Sequence, residues 1–578
     1  MPPNVRLRSP FGGAPAGLPI RFPWRSVLLL AALSLLPRLW LSVTRAIDYD
    51  GYWHVFVAGQ DRWENFIAGV WSNAHPPLFY LLLRGAMAFG RTELSFRLVS
   101  LLAGLGAVIA GARLAWRVGR NATVAVWAAA AFASCFAPVV LSCEVRSYML
   151  ALFFILVSFG GYLELLDGSE SHRSARATAV FAGGACAAVC SHYFAFLYLL
   201  ACLLLTAVVA TVNPAVRARA WHRARSDRGS LAWWGALLAL VGGLALVHAA
   251  YRAPRLNHLA LYMFEPGGRE PLTRFLARNL VAEFNLFSPL ALATDAPSSA
   301  AVGLAAALAL AGVWWLRKLR RADRVAALLP AGGFLTILLL ITGASAAGRY
   351  PFGGAMRQQS ILFPFLVLSA SGLAAGVFSK LATVPRALCG IVLFLGLAVN
   401  SARQLPTYES YYPASFAEAD RALTRSFPET KLLYTDQFGV VAFFSRRFDW
   451  DWSYRLRVPG DPELLWYRIR RGRETLDVVE DRARWVARLD ATPLYRSLRS
   501  ALRVASSRCL VVYRLVPSEG AGFGANEPKE RIERAARAAG LRLGREVQFG
   551  SNRLLEVCLP EPALPASVGR GGEPAAIP

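Results

Sequence analysis

Charged residues are scarce in this sequence: they make up 17% of its 578 positions, against roughly 25% in an average soluble protein. That shortage excludes an intrinsically disordered chain and argues against an all-soluble enzyme. Cysteine is scarce too, with eight residues and no metal-ligand spacing among them, which excludes a small disulfide scaffold and a zinc module. The sequence also lacks a phosphate-binding glycine loop and a convincing Ser/His/Asp series.

Apolar residues are abundant instead, at 55% of the chain with a mean hydropathy of +0.39, and long apolar runs recur through the first 400 residues. A membrane helix needs about 20 apolar residues to cross about 30 Å of hydrocarbon. The first run continues through Pro37 and Arg38 without a clean small-residue cleavage site, so we read it as a retained anchor. We predict about eleven transmembrane helices, at 24–44, 97–116, 121–141, 148–166, 177–191, 194–212, 231–250, 299–316, 325–344, 358–378 and 386–402.

Basic residues predict the orientation of these helices. Lys and Arg number 63 against 37 acidic residues, a net charge of +26. In a membrane protein this excess indicates cytoplasmic loops and lipid phosphates rather than nucleic acid. With eleven spans every basic cluster falls in the cytoplasm, the N-terminus is cytoplasmic and the chain from 403 onward lies outside. The short run 76–90, which contains Arg84, is then a helix lying in the outer interface, because another span would invert all later loops.

The composition divides the chain into two predicted domains. Residues 1–402 form a transmembrane domain with interface helices in the first outside loop (45–96), and residues 403–578 form a small extracytoplasmic α/β domain with a disordered end. Cys509 and Cys558 both lie in the second domain, and the sequence leaves their pairing open. The strands, the amphipathic helix and the hairpin predicted there cover 431–444, 506–516, 528–540 and 545–559.

On this topology, acids and bases from distant segments fall on one face of the membrane. Ionisable groups at a membrane edge are costly unless they are paired, so they are functional candidates. Each also has a plainer interpretation, as a solvated loop residue, a polar flank of a helix start or an arginine anchored by lipid headgroups. The candidates are Asp48, Asp50 and His75 in the first outside loop, Glu144, Arg146 and Tyr148 at the second, His192 and Tyr193 at the third, Arg252 and Arg255 in the fourth, and Arg349, Tyr350 and Arg357 in the fifth.

Three motifs follow one another in the first half of the chain: AIDYDGYWHVF, NAHPPLFYLLLR and LSCEVRSYMLALFF. Together they resemble the GT-C fold glycosyltransferases, which use polyprenyl-phosphate sugars, and above all the protein mannosyltransferase and lipid A aminoarabinose transferase group. The resemblance covers about residues 1–400 and is weaker around AAGRYPFGGAMRQQSILFPFLVL. It departs from the family at the first motif, where an Asp-Glu pair is common but Asp50 is preceded by Asp48 and followed by Gly51.

The resemblance implies a glycosyltransferase of the bacterial inner membrane. It would move a hexose or pentose from a polyprenyl-phosphate donor to an extracytoplasmic lipid, glycan or protein. Membrane lipids are its other partners, and no cofactor is certain, although a divalent metal held by acidic residues is compatible with the family. The sequence names neither the sugar nor the acceptor.

The candidate residues suit inverting sugar transfer. This reaction needs a carboxylate to deprotonate the acceptor on the face opposite the leaving phosphate. We predict that Asp50 is this base and that Asp48 orients the acceptor or tunes the pKa of Asp50. Arginine binds phosphate bidentately, and Arg349 is our first choice for the donor phosphate, followed by Arg146. Further phosphate candidates are Arg252, Arg255 and Arg357, and the supporting residues are His75, Glu144, Tyr148, His192, Tyr193 and Tyr350.

Two functions of other classes use the same features. A transporter or flippase of lipid-linked sugars would have similar spans and arginines, and an assembly protein would bind a partner through the tail. The transporter fits less well, because the polar groups cluster at one face and the chain shows no repeated halves with broken helices.

Overall fold

The computed structural model describes most of the chain and divides it into two compact units, Met1–Ala58 with Ile67–Ser410 and Gly59–Phe66 with Tyr411–Pro578. The described residues are 21–45, 47, 49–73, 75–167, 171–218, 225, 228–252, 264–265, 268, 270–287, 298–320, 322, 325–352, 356–378, 395–396, 398–403, 413–436, 439–440, 443, 451–455, 464–481, 494–505, 507–513, 515–517, 523–526, 529–549 and 552–560.

Helices make up the first unit, as the apolar runs predict, and the first four residues of the third helix, Trp63–Phe66, belong to the second unit. Their bounds are α1 (Trp24–Thr44), α2 (Tyr49–Ala58), α3 (Trp63–Ser72), α4 (Pro77–Ala86), α5 (Glu93–Gly119), α6 (Ala122–Ser134), α7 (Phe136–Cys143), α8 (Tyr148–Asp167), α9 (Ser171–Ser191), α10 (Ala195–Val212), α11 (Arg228–Arg252), α12 (Leu272–Phe287), α13 (Ser298–Arg320), α14 (Leu329–Ala346), α15 (Met356–Gln359) and α16 (Leu362–Phe378).

Among the described residues, six helices are long and apolar enough to cross a membrane, namely α1, α5, α8, α10, α11 and α14. A seventh crossing results if α6 and α7, which are bent by 53°, count as one. Helix α4 has 10 residues, about 15 Å at the usual rise, which is half the hydrocarbon thickness. The count of about eleven spans stays a prediction, and most of its last span, 386–402, lies outside the described residues.

The break between α6 and α7 leaves carbonyl groups without the partners that a continuous helix would supply. Arg38, which is fully buried in α1, donates to the carbonyls of Phe132 (2.9 Å) and Ala133 (3.0 Å). The hydroxyl of Ser401 donates to the carbonyl of Ser134 (2.7 Å). The end of a helix carries partial negative charge, so a buried guanidinium is stabilised there inside the membrane domain.

The second unit has a seven-stranded sheet in the order β2-β3-β4-β1-β5-β9-β8, in which β1 is parallel to β4 and β5 and the other pairs are antiparallel. Strands β6 and β7 form a separate pair. The bounds are α17 (Pro413–Ser426), β1 (Leu432–Thr435), β2 (Asp451–Arg455), β3 (Leu464–Arg471), β4 (Glu474–Asp481), α18 (Leu494–Val504), β5 (Cys509–Tyr513), β6 (Leu515–Pro517), β7 (Phe523–Asn526), α19 (Lys529–Ala538), β8 (Arg542–Phe549) and β9 (Asn552–Cys558).

This unit has its own core, in which the inward faces of the central strands pack against α18 and α19. The predicted helix at 528–540 contains α19, and Gly540 follows it with a φ of +64°, the left-handed conformation that glycine adopts easily at a helix end. Cys509 of β5 and Cys558 of β9 face each other across the sheet and form a disulfide. The domain boundary at 402/403 and the location of this unit outside the membrane stay predictions.

Candidate active site

Four charged side chains from three segments of the first unit form one chain of ion pairs. Asp50 lies in the first turn of α2, Glu144 and Arg146 lie between α7 and α8, and Arg357 lies on α15. Arg146 donates through Nη2 to Asp50 Oδ2. Arg357 binds Glu144 through Nη2 to Oε1 (2.9 Å) and Nε to Oε2 (3.2 Å), and its Nη1 lies 3.9 Å from Asp50 Oδ2. The two carboxylates and two guanidiniums have no net formal charge.

The members of this chain differ in exposure. Arg146 is buried, with 4% of its surface accessible, whereas the side chain of Asp50 is 49% accessible. Among the described residues, Oδ1 of Asp50 has no hydrogen-bond partner, while Oδ2 accepts a hydrogen bond from Arg146. The carboxylate is therefore fixed through one oxygen and can accept a proton on the other.

Three imidazoles lie next to these charges. The ring of His75, just before α4, is 5.0 Å from that of His54 on α2 and 5.1 Å from that of His192, between α9 and α10. The ring of Tyr148 at the start of α8 lies 4.5 Å from His192. His54 donates from Nδ1 to the carbonyl of Asp50 one turn earlier, because a carbonyl can only accept. The predicted candidates His75, Tyr148 and His192 are thus brought together beside Asp50.

The surroundings keep two of these imidazoles uncharged. Burial, the neighbouring histidines and then the guanidiniums of Arg146 and Arg357 hold the pKa of His75 well below its ordinary value. Burial first, then His54 and Arg146, lowers the pKa of His192 to about 3. Its Nδ1 accepts the backbone N–H of Phe194 at 3.1 Å, which requires an unprotonated nitrogen. Such neutral rings can bind sugar hydroxyls without adding charge to the site.

Tyr193 belongs to a second contact between segments. Its hydroxyl donates to Nδ1 of His248 on α11, and Nε2 of His248 donates to the carbonyl of Trp71 at 2.9 Å. The carbonyl accepts only, so it fixes the tautomer of His248 and leaves Nδ1 to accept from Tyr193. Tyr193 therefore joins the loop after α9 to α11 and to the end of α3, and it is not part of the imidazole group.

Arg349, our first choice for the phosphate, is exposed just after α14, and its side chain forms no polar contact with any described residue. Its backbone N–H donates to the carbonyl of Ala344, and the N–H of Gly348 donates to Ser345, each at 2.8 Å. With a φ of +65° at Gly348, this is the usual glycine-ended helix terminus. The glycine that we interpreted as allowing close backbone approach thus ends α14.

Four predicted site residues remain: Tyr350, Arg252, Asp48 and Arg255. The hydroxyl of Tyr350 donates to the carbonyl of Gln358 (3.0 Å), which ties the segment after α14 to α15 next to Arg357. Arg252 is the last residue of α11. Asp48 and Arg255 lie outside the described residues.

Three residues beside this site were not predicted from the sequence, and their side chains are hydrogen-bonded to one another. They are Tyr52 on α2 and the pair Glu93 and Arg97 at the start of α5, where Arg97 Nη1 lies 3.2 Å from Glu93 Oε2. The one available signal was the spacing of an acid and a base four residues apart.

A metal site is not evident at Asp50 in the described residues. Among all the described residues, one group of three side chains is close enough together to hold a metal ion, and it lies in the second unit: Cys509, Glu556 and Cys558. The two thiols are joined in the disulfide, so they cannot bind as thiolates.

Comparison with solved structures relates this architecture to two membrane enzymes. ArnT from Cupriavidus metallidurans bound to undecaprenyl phosphate has a TM-score of 0.52 and 13% identity, over 93% of this chain and 98% of ArnT. The Archaeoglobus fulgidus oligosaccharyltransferase in complex with Zn and sulfate has a TM-score of 0.51 and 14% identity, over 84% of this chain and 68% of that protein. The chain has the GT-C fold.

The GT-C fold predicted from the three motifs is therefore confirmed. No family model matches the sequence, and no curated protein matches it. Identities of 13% and 14% establish the architecture alone.

Proposed function

We propose that the protein is a membrane glycosyltransferase that moves a sugar from a polyprenyl-phosphate donor to an extracytoplasmic acceptor with inversion. The observation that carries the proposal is the chain Arg146–Asp50–Arg357–Glu144, which puts a half-exposed carboxylate between two guanidiniums. The GT-C fold supports it, and ArnT, which shares the fold, was solved with a polyprenyl phosphate, undecaprenyl phosphate.

In the proposed transfer Asp50 and the two guanidiniums have separate roles. The acceptor's hydroxyl or amine attacks the anomeric carbon from the face opposite the phosphate, and its proton passes to Asp50. The bond from the anomeric carbon to the phosphate oxygen breaks, and its electron pair leaves with the lipid phosphate. Arg146 and Arg357 stabilise the charge that develops on this phosphate, an interaction that strengthens as the bond breaks. The uncharged His75 and His192 bind hydroxyls of the sugar.

The direct test is transfer by the purified protein in detergent or vesicles. Short-chain polyprenyl-phosphate hexoses and pentoses, labelled in the sugar, are offered together with an envelope glycolipid fraction as acceptor. We expect label in a new product and an equal amount of free polyprenyl phosphate. Movement of intact donor across the vesicle membrane without bond cleavage would instead identify a transporter, and an intact, unmoved donor in every case would refute both.

We further propose that the site and the second unit face outside in a bacterial inner membrane, with a cytoplasmic N-terminus. The distribution of basic residues supports this orientation. In a variant without free cysteines, Arg91→Cys before α5 should react with an impermeant thiol reagent in intact cells. Arg120→Cys and Arg217→Cys should react after permeabilisation alone. All three positions are exposed, so protection of position 91 in intact cells would reverse the assignment.

A further inference from the structure

One face of α5 contacts both sides of the ion-pair chain. Glu93, Arg97 and Ser100 are spaced four and three residues apart, so they form a single stripe on the helix. Arg97 is buried, with 2% of its surface accessible. It lies in the second turn of α5, at the helix end that is next to the site.

Arg97 joins the ends of two helices. It donates to the carbonyls of Ser42 (2.5 Å) and Arg45 (2.7 Å) at the end of α1, and to the carbonyl of Cys143 (2.8 Å) at the end of α7. Carbonyls at a helix end lack partners within the helix, and their partial negative charge attracts a cation. The two segments that follow α1 and α7 carry Asp50 and Arg146.

The other two members of the stripe reach these segments directly. Glu93 Oε1 accepts a hydrogen bond from the hydroxyl of Tyr52 (2.9 Å). Tyr52 lies on α2, two residues after Asp50. Ser100 Oγ donates to the carbonyl of Arg146 (3.1 Å). The same face of α5 therefore contacts the helix that carries the carboxylate and the loop that carries its guanidinium partner.

We propose that Arg97, together with Glu93 and Tyr52, is a positioning residue for sugar transfer, which sets the place of Asp50 relative to Arg146 and Arg357. The inference rests on the proposed function and deepens it. Asp50 and Arg146 are 96 residues apart in the chain, so their alignment depends on how α1 and α7 are joined. Displacing a reacting group by about 1 Å can lower a rate by about 10²-fold.

Three conservative variants test this role. Arg97→Lys keeps the charge but loses the planar fork that serves three carbonyls and one carboxylate. We expect kcat for sugar transfer to fall by about 10²-fold with KM within about twofold. Tyr52→Phe and Glu93→Gln each weaken one contact of the stripe and should lower kcat by about fivefold to tenfold, the effect of one hydrogen bond.

A control lies on the same helix. Arg117, near the other end of α5, donates to the carbonyl of Gly160 (3.0 Å) and forms an ion pair with Glu164 of α8. It joins two helices far along α5 from Arg97, and its side chain is 40% accessible against 3% for Arg97. Arg117→Lys should leave kcat within about twofold of the wild type, whereas a loss as large as in Arg97→Lys would show that the effect does not depend on the position of Arg97 beside the site.

A double-mutant cycle separates positioning from stability. If Arg97 acts through Asp50, then adding Arg97→Lys to Asp50→Asn should lower the residual kcat by less than about twofold. A loss as large as in the wild-type background would overturn the inference. If Arg97→Lys fails to fold, Tyr52→Phe decides in the same way, because it removes one hydroxyl.

Hydrogen exchange provides a readout that does not depend on activity. Peptides from α2 (Tyr49–Ala58) should exchange at least about tenfold faster in Arg97→Lys than in Arg117→Lys, because the contacts that hold α2 are weakened. Exchange unchanged in α2 would overturn the positioning role even with no transfer detected. Faster exchange in α2 together with a wild-type protein that transfers no sugar would retain the positioning role and refute the proposed function.

Discussion

The variant Asp50→Asn is expected to lower turnover by about 10²-fold or more, the usual effect of removing a general base. The amide has nearly the shape of the carboxylate, and its oxygen can still accept from Arg146, so the protein should insert and fold. It cannot take the acceptor's proton. The measurement is kcat for transfer from a short-chain polyprenyl-phosphate sugar by purified protein, compared at equal amounts of folded enzyme.

Another carboxylate provides the control for this prediction. Glu64 lies in the first turn of α3 and is exposed, so Glu64→Gln should leave kcat within about twofold. Near-wild-type turnover in Asp50→Asn would remove Asp50 from the role of base. Asp48 would then be the next candidate, and Asp48→Asn should give the loss instead.

The imidazoles beside Asp50 are poorer candidates for the base. Acting as the base would turn an imidazole into a cation, and burial, which lowers the pKa of His192 to about 3 and also lowers that of His75, opposes that charge. Both rings are therefore neutral throughout the physiological range and take up protons weakly. Replacement of either by Gln should raise KM for the sugar more than it lowers kcat.

Several site residues could be predicted from the sequence because each directly follows or precedes an apolar run. Asp50 comes after α1, Glu144 and Arg146 come between α7 and α8, and His192 comes between α9 and α10. Once the runs are assigned as spans, their parity alone places these residues on one face. The prediction needed no knowledge of how the helices pack.

The partner of each charge could not be predicted in this way. Parity places Arg349 and Arg357 on the same face and does not distinguish them, yet Arg357 contacts the carboxylates and the exposed side chain of Arg349 forms no polar contact with a described residue. Hydropathy likewise gives 121–141 as one run, whereas α6 and α7 are bent by 53°. Arg97 was hidden for another reason: three of its partners are backbone carbonyls, which leave no mark in the sequence.

Arg357 and Arg349 are expected to contribute differently to binding the donor phosphate. Arg357→Ala is expected to lower kcat/KM by about 10²- to 10³-fold, mainly through kcat, because Arg357 lies within 3.9 Å of Asp50 and would contact the leaving phosphate as its charge develops. Arg349→Ala is expected to raise KM by up to about tenfold with kcat within about twofold. An exposed guanidinium attracts bound donor and transition state alike, which is uniform binding.

The loss of activity in Arg357→Ala can also come from lower stability, and a further variant separates the two causes. The side chain of Glu144 is 8% accessible, and a buried carboxylate that loses its partner costs about 3–5 kcal/mol. The double variant Arg357→Ala/Glu144→Gln removes both charges, so it should regain thermal stability without regaining transfer. Arg357→Lys keeps the charge and loses the fork, so its kcat/KM should lie between those of Ala and the wild type.

These variants also decide whether Arg357 or Arg349, the first choice made from the sequence, binds the donor phosphate. A double variant that is stable and transfers sugar at near the wild-type rate would show that Arg357 serves the fold by neutralising Glu144. If Arg349→Ala then lowers kcat together with kcat/KM, the developing charge on the phosphate is stabilised by the exposed arginine after α14. In that case a fall in kcat without a rise in KM would show that Arg349 contacts the phosphate in the transition state and not in the bound donor.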